Sequence, residues 1–276
     1  MKSSNAGERL REICASQWGL VTTAQAGDAG VPRIALTRLA QSGKYERLAQ
    51  GVYRDTAVPS SQYDYLRGAW LSLNPSQSSE ERVFSPTPDA VVCRETAAWL
   101  LGYGTFVPEP YRFATPARRQ TQRPELRLYR KQYPKESLEI CQGLPVTSFE
   151  QTVADLVEAE ADLSLVSDMF SELPLEAPYN QEKLIALLSP FAEHNGFTPG
   201  DGESFYKQLA APRLQQIKQL IKKLKRSEGT SLASLLQEYD RYLASAESSE
   251  ADVRLHTQQE ARTYFKRLID DESAHA

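Results

Sequence analysis

Near the start of the chain, apolar side chains recur at helical spacing, at Leu10, Ile13, Cys14 and Trp18. Intervals of three and four residues place side chains on one face of an amphipathic helix, so the pattern predicts a first helix that Gly19 ends. A second short helix is predicted over 24–29, and either Thr22 or Thr23 is positioned to cap its first turn.

The next helical segment, 33–42, has two different faces when its residues are placed at about 100° intervals. Pro32 precedes it, at a position where a missing N–H costs no hydrogen bond. One face is apolar and carries Leu36, Leu39 and Ala40. The opposite face carries Ile34, Thr37, Arg38 and Gln41, with Arg33 on its flank. Beyond Gly43, alternating apolar residues around Gln50-Gly51 predict a tight hairpin.

A helix, a turn, a second helix and a hairpin in this order are typical of a winged helix-turn-helix, so double-stranded DNA is the partner we expect. Arginine can bridge guanine and glutamine can bridge adenine, while an exposed isoleucine can contact a thymine methyl group. Basic residues on the hairpin, or wing, can pair with phosphates. The predicted DNA-binding residues are Arg33, Ile34, Thr37, Arg38, Gln41, Lys44, Arg47 and Arg54. The alternative is a three-helix subdomain that connects other domains and contacts no nucleic acid.

The middle of the chain mixes both kinds of element. A helix with an apolar stripe is predicted before Asn74-Pro75, followed by a loop over 75–88 that is rich in serine and proline. Strands are predicted at Tyr111–Thr115, Glu125–Arg130, Leu138–Cys141 and Leu144–Thr147, after a helix at Arg94–Leu101. Ser148 is expected to cap a further helix, and Gln151 three positions later would complete a capping box.

From residue 180 onward the apolar spacing is helical only, with stripes around 184–188, 214–224, 232–243 and 261–268. We therefore predict an α+β protein with three domains. These are a winged helix-turn-helix over 1–58, a central α+β domain over 63–178 and a helical bundle over 179–276.

Composition narrows the class of protein. The 276 residues are 41% hydrophobic and 25% charged, values typical of a globular protein, and the net charge is −4. Three separated cysteines and the absence of any CxxC pair argue against a metal site or a disulfide framework. No apolar run reaches the ~18 residues of a membrane span, so we expect a cytoplasmic location. The sequence contains no GxxxxGK[ST], HExxH or GxSxG motif, so we expect neither enzyme activity nor a cofactor.

Charge is unevenly distributed along the chain. Residues 1–55 have a net charge of +3, whereas 112–135 reach +7 and 136–176 reach −10. A candidate basic surface in the second segment consists of Arg112, Arg118, Arg119, Arg123, Arg127, Arg130 and Lys131. These side chains could be solvated, could pair with acids inside the protein, could follow DNA phosphates, or could bind an acidic protein partner.

Three segments, in this order, resemble a known family. The first runs from Gly19-Leu20-Val21-Thr22-Thr23 through Gly30-Val31 and Gly43 to Gly51-Val52-Tyr53-Arg54. The second is the run from Cys93 to Gly102, and the third is the run from Gly143 to Leu156. Together they resemble the AbiEi antitoxins of type IV toxin–antitoxin systems, over about residues 8–160.

The resemblance implies an N-terminal winged helix joined to an antitoxin domain, in a bacterial regulator that represses its own operon. It also implies a nucleotidyltransferase toxin encoded nearby. The expected operator is an inverted repeat, occupied by a dimer or by two monomers. An alternative function is that of a protein-interaction module, which would bind a toxin or another acidic partner directly without sequence-specific DNA binding.

Overall fold

The structure is a computed structural model that describes residues 2–173 and 179–226. The chain divides into two compact units, which are Met1–Gly102 with Phe106–Asp155, and Tyr103–Thr105 with the chain from Leu156 onward. The first unit mixes helices and strands, which confirms the predicted α+β class. The helical stripes predicted over 232–243 and 261–268 lie outside the described residues.

The N-terminal part of the first unit is a winged helix-turn-helix, as the apolar pattern predicts. Its elements are α1 (Lys2–Ser16), β1 (Leu20–Thr22), α2 (Thr23–Asp28), α3 (Arg33–Gln41), β2 (Tyr45–Ala49) and β3 (Val52–Asp55). The strands form an antiparallel sheet in the order β1-β3-β2. Leu10, Val21 and Leu36 belong to its buried core. Gly51 adopts a φ of +72° in the tight turn between β2 and β3, a conformation that glycine adopts without steric cost.

Thr22 is the residue that caps α2. Its side chain accepts a hydrogen bond from the Gln25 backbone N–H, and the Gln25 side chain accepts one from the Thr22 N–H, which makes a complete capping box. Both side chains also reach the segment after the helix Asp64–Leu73, because Thr22 donates to the carbonyl of Pro75 and Gln25 donates to that of Gln77. The capping residues therefore attach the winged helix to the central part of the unit.

The central part of the unit is a five-stranded mixed sheet with helices. Its elements are α4 (Asp64–Leu73), α5 (Ser79–Val83), β4 (Val91–Val92), α6 (Arg94–Leu101), β5 (Tyr111–Thr115), β6 (Leu126–Arg130), β7 (Leu138–Cys141), β8 (Leu144–Thr147) and α7 (Phe149–Glu158). The sheet order is β6-β5-β4-β8-β7. The four strands predicted in this region are present. A single buried core joins α4 and the sheet to Leu20 and Val52 of the winged helix.

Two local predictions for the central part of the unit were wrong. The predicted loop over 75–88 contains α5, which Ser78 and Glu81 cap reciprocally; five residues are too few to show a helical apolar period. The predicted capping box at Ser148 is incomplete, because the Ser148 N–H donates to the Ser137 carbonyl at 2.8 Å and the Gln151 side chain donates to Asp155 at 2.9 Å. The Gln151 backbone N–H still donates to the Ser148 hydroxyl.

Trp18 forms the junction between the winged helix and the central sheet. It lies beyond the end of α1, not on the stripe predicted for that helix, and contacts the edge of Trp70 with ring centroids 6.4 Å apart. The guanidinium of Arg67 lies 4.9 Å from the Trp18 ring and donates to the Gln142 carbonyl at 3.0 Å. Gly143 packs so closely that a Cβ atom there would lie 2.7 Å from the Trp18 ring.

The described part of the second unit contains only helices. After the end of α7 come α8 (Leu163–Glu172), α9 (Gln181–Leu188), α10 (Gly202–Leu209) and α11 (Ala211–Arg226), with short 3₁₀-helices at Ser189–Phe191 and Glu193–Asn195. Phe170, Leu184 and Phe205 are fully buried. The aromatic ring of Phe170 has edge contacts with Tyr179 and Tyr206. Among the described helices, none is long and apolar enough to cross a membrane.

The tight junction at Gly143 predicts a specific loss of stability. Gly143→Ala should lower the free energy of unfolding by about 1–2 kcal/mol through the left-handed backbone and by a further 1–3 kcal/mol or so through overlap with Trp18. Urea unfolding measures the loss.

The matched control is Gly102→Ala. Gly102 has a φ of +78°, close to the +77° of Gly143, but a Cβ atom there would meet nothing within 4 Å. This variant should therefore lose the backbone contribution alone. Equal losses in the two variants would contradict the tight contact between Gly143 and Trp18.

Candidate nucleic-acid interface

Helix α3 separates its buried and exposed faces as predicted. Leu36 is fully buried in the winged-helix core, while the side chain of Ile34 is 62% exposed. Arg33, Arg38 and Gln41 are also exposed. Thr37 is half-buried, and its hydroxyl donates to the Arg33 carbonyl at 3.1 Å, so its hydrogen atom is used within the helix. The open face of α3 therefore consists of two arginines, an isoleucine and a glutamine.

The predicted wing residues have two different environments. Lys44 and Arg47 are exposed, and among the described residues Arg47 makes only a long contact, 3.4 Å, to the Ala49 carbonyl. Arg54 instead donates to Glu46 at 2.7 Å and to the Val58 carbonyl at 2.8 Å, with its side chain 12% exposed. Its charge is paired within the protein, so we leave Arg54 out of the interface that we propose below.

The candidate basic surface of residues 112–131 does not form one open face. Three of its members pair with acids: Arg112 with Glu95, Arg123 with Glu125, and Lys131 with Asp155. The other four are exposed and form no ion pair among the described residues: Arg118, Arg119, Arg127 and Arg130. The sequence left internal pairing and an exposed basic surface as alternatives. In the structure, three side chains of this segment pair with acids inside the protein and the other four are exposed.

A groove brings arginines from the winged helix and from the central domain together. Its volume is about 460 Å³, and it is lined by Arg33 of α3, Arg47 of the wing, and Arg119 and Arg123 of the loop between β5 and β6. None of the described residues that line it is acidic. We call it the arginine groove. The sequence does not show that the two pairs of arginines lie side by side, although the high positive charge of 112–135 marks Arg119 and Arg123.

A second polar cluster surrounds Asp155, which is 1% exposed. Its carboxylate accepts hydrogen bonds from Lys131 at 2.9 Å, Tyr133 at 2.5 Å and Gln151 at 2.9 Å. Burial, with the nearby carboxylate, raises the pKa of Tyr133, which keeps the phenol protonated as a donor. The cluster therefore attaches α7 to the chain after β6.

Two features of the described residues bear on catalysis. They contain no group of three or more His, Cys, Asp or Glu side chains that could hold a metal ion. Cys14 and Cys93 are buried free thiols, and burial raises the pKa of Cys14 to about 11, so this thiol is a poor nucleophile.

Two family models match separate segments of the chain. A family model described as "Transcriptional regulator, AbiEi antitoxin" matches residues 8–54, and one described as "AbiEi antitoxin C-terminal domain" matches residues 90–193. Among solved structures, the chain is similar to the RV2827C protein from Mycobacterium tuberculosis, with 18% identity and a TM-score of 0.43, over 75% of this chain and 81% of that chain. No curated protein matches the chain.

The first family model extends from the middle of α1 to the wing, and the second begins beside β4 and extends beyond α9. The two models occur in the order that the sequence resemblance predicts, and they have the same family name. The chain therefore belongs to the AbiEi antitoxin family and joins a transcriptional-regulator domain to an antitoxin C-terminal domain.

Proposed function

We propose that this protein represses its own operon by binding DNA and that it neutralises a nucleotidyltransferase toxin encoded nearby, as a type IV antitoxin of the bacterial cytoplasm. We assign DNA binding to residues 1–58 and antitoxin activity to 63–178, neither of which requires catalysis or a cofactor. The observation that carries the proposal is the open face of α3, where Arg38 and Gln41 lie opposite the buried Leu36.

In this proposal α3 lies in the major groove of double-stranded DNA. Arg38 and Gln41 bond to base edges, and Ile34 contacts a thymine methyl group. Lys44 and Arg47 on the wing pair with phosphates, which position the protein without reading sequence. A dimer or two monomers would occupy the halves of an inverted repeat, spaced by one or more helical turns.

The DNA contacts of α3 can be tested with Arg38→Ala. Loss of this side chain should weaken operator binding by about 1–3 kcal/mol and relax specificity at one base pair. Gel shifts on the DNA upstream of the protein's own gene, with each base pair of the site substituted in turn, measure both effects.

Arg11→Ala is the matched control, because it removes the same charge from an exposed position on α1. This variant should retain the wild-type base preference. If the wild-type protein binds none of the upstream DNA at low salt, DNA binding by this protein is refuted.

The separate roles proposed for the two domains, DNA binding and antitoxin activity, lead to a further prediction. Arg38→Ala should lose repression of a reporter under the operon's promoter yet still protect growth when the adjacent nucleotidyltransferase is expressed, because Arg38 lies outside the antitoxin domain. Reporter activity and growth are measured in the same strain, with a stop codon at the start of the gene as the reference. Loss of protection together with repression would contradict separate functions.

A second candidate function is direct binding of an acidic partner protein. It is favoured by Arg118 and Arg130, which are exposed, form no ion pair among the described residues and do not line the arginine groove. Co-purification of the adjacent gene product with the wild-type protein, but not with the double variant Arg118→Ala/Arg130→Ala, would support this function. Equal recovery with both proteins would exclude these arginines as the contact.

A further inference from the structure

One face of the central sheet carries a hollow. Across the four strands β5, β4, β8 and β7, the residues Ala114, Val91, Pro145 and Ile140 lie side by side in register, so their side chains share one face. All four line a hollow of about 430 Å³, which we call the apolar hollow. Val92, next to Val91, faces the other way and belongs to the buried core beneath α4.

Two large apolar side chains are exposed at the apolar hollow. Phe84, just after α5, is 79% exposed, and Ile140 is 55% exposed. Both line the hollow. Apolar groups that gather around one concavity are typical of a protein-binding surface, whereas single ones scattered over a surface are not. The hollow is therefore suited to an apolar side chain of a partner.

The backbone of β7 is open at the edge of the sheet. Among the described strands β7 pairs only with β8, and Ser148 donates to the carbonyl of Ser137, which makes these two residues a hydrogen-bonded antiparallel pair. Such pairs alternate with pairs that exchange no hydrogen bond. Ile140 and Pro145 form a pair of the second kind, which agrees with the missing N–H of proline. The N–H and C=O groups of Ile140 therefore point outward, and they bond to no described residue.

The two edges of the central sheet differ in charge. The edge strand β6 carries Arg127 and Arg130, and charges on an edge strand hinder its pairing with another chain. The edge strand β7 carries a single charged residue, Glu139, beside Ile140. It also lies in segment 136–176, which contains ten acidic residues and no lysine or arginine. The β7 edge therefore favours a basic partner segment.

Glu139 shows where a basic side chain of such a segment would lie. It is opposite Val146 of the buried core, so its side chain projects from the face away from Ile140. It forms no ion pair among the described residues. Burial and the nearby carboxylate of Glu150 raise the pKa of Glu139, so a cation placed beside these two acids would be stabilised.

We infer that β7 is the site at which this antitoxin binds its toxin, by accepting an extended toxin segment as a sixth strand of the central sheet. The segment would exchange backbone hydrogen bonds with Ile140. One of its side chains, apolar, would enter the hollow beside Phe84, and the next, basic, would lie beside Glu139. In strand addition the backbone supplies affinity, and pockets for alternate side chains supply specificity. This inference rests on the proposed function, in which the adjacent gene encodes the toxin.

The test measures binding of the full chain to the purified product of the adjacent gene by titration calorimetry. Ile140→Ala removes the side chain at the hollow, and Ile140→Pro removes the outward N–H, so each should weaken binding by about tenfold. Proline is tolerated on an edge strand where the N–H faces outward. The matched control is Val107→Ala, because Val107 is 69% exposed but does not line the hollow, and this variant should bind like wild type. Circular dichroism checks that all three variants fold.

Hydrogen exchange locates the contact on the sheet. With the adjacent gene product bound, amides of 138–141 should exchange more slowly, while those of β6 should be unchanged. The inference is overturned if both Ile140 variants bind like wild type, or if only Arg118→Ala/Arg130→Ala loses the toxin. Wild-type protein that protects growth without binding the toxin would also overturn it, yet would leave neutralisation intact. Wild-type protein that neither protects growth nor represses the operon would instead refute the proposed function.

Discussion

The position of the winged helix depends on Trp18. Because its backbone lies beyond the end of α1, its ring can leave the winged-helix core and pack against Trp70, under the guanidinium of Arg67 and against Gly143. Most of this contact is apolar and aromatic, and the charged guanidinium of Arg67 donates to the Gln142 carbonyl and pairs with Asp64. The glycine is required because any side chain there would overlap the indole ring. The winged helix is consequently packed against the central sheet and not carried on a free linker.

The packing of the winged helix against the central sheet determines where the arginine groove forms. Arg33 and Arg47 come from the winged helix, while Arg119 and Arg123 follow more than sixty residues later. Their convergence requires that the wing and the loop between β5 and β6 be held side by side, which the shared core and the hydrogen bonds from Thr22 and Gln25 accomplish. Stability at the junction and the geometry of the arginine groove are therefore linked.

Much of the fold was predictable because its determinants are local. The stripe around Leu36 and the glycine at position 51 fix elements through neighbours a few residues away, and the structure contains both elements. Helix α5 was missed because it is too short to have a period. The capping role of Gln151 was mispredicted because the Ser148 N–H that it would accept donates to the Ser137 carbonyl, and its side chain donates to the buried Asp155. The pairing of Arg54 and the groove depend on distant packing, which a single sequence does not specify.

The placement of the winged helix against the central domain is tested most directly by a distance measurement. Spin labels can be attached through Gln41→Cys, at the end of α3, and Gln122→Cys, in the loop between β5 and β6, with Cys141→Ser to remove the half-buried thiol. Both labelled positions are exposed. Double electron–electron resonance on the full chain should give one narrow distance distribution without DNA, and the same distribution with DNA bound. A broad or multiple distribution in the free protein would contradict a packed junction and a preformed groove.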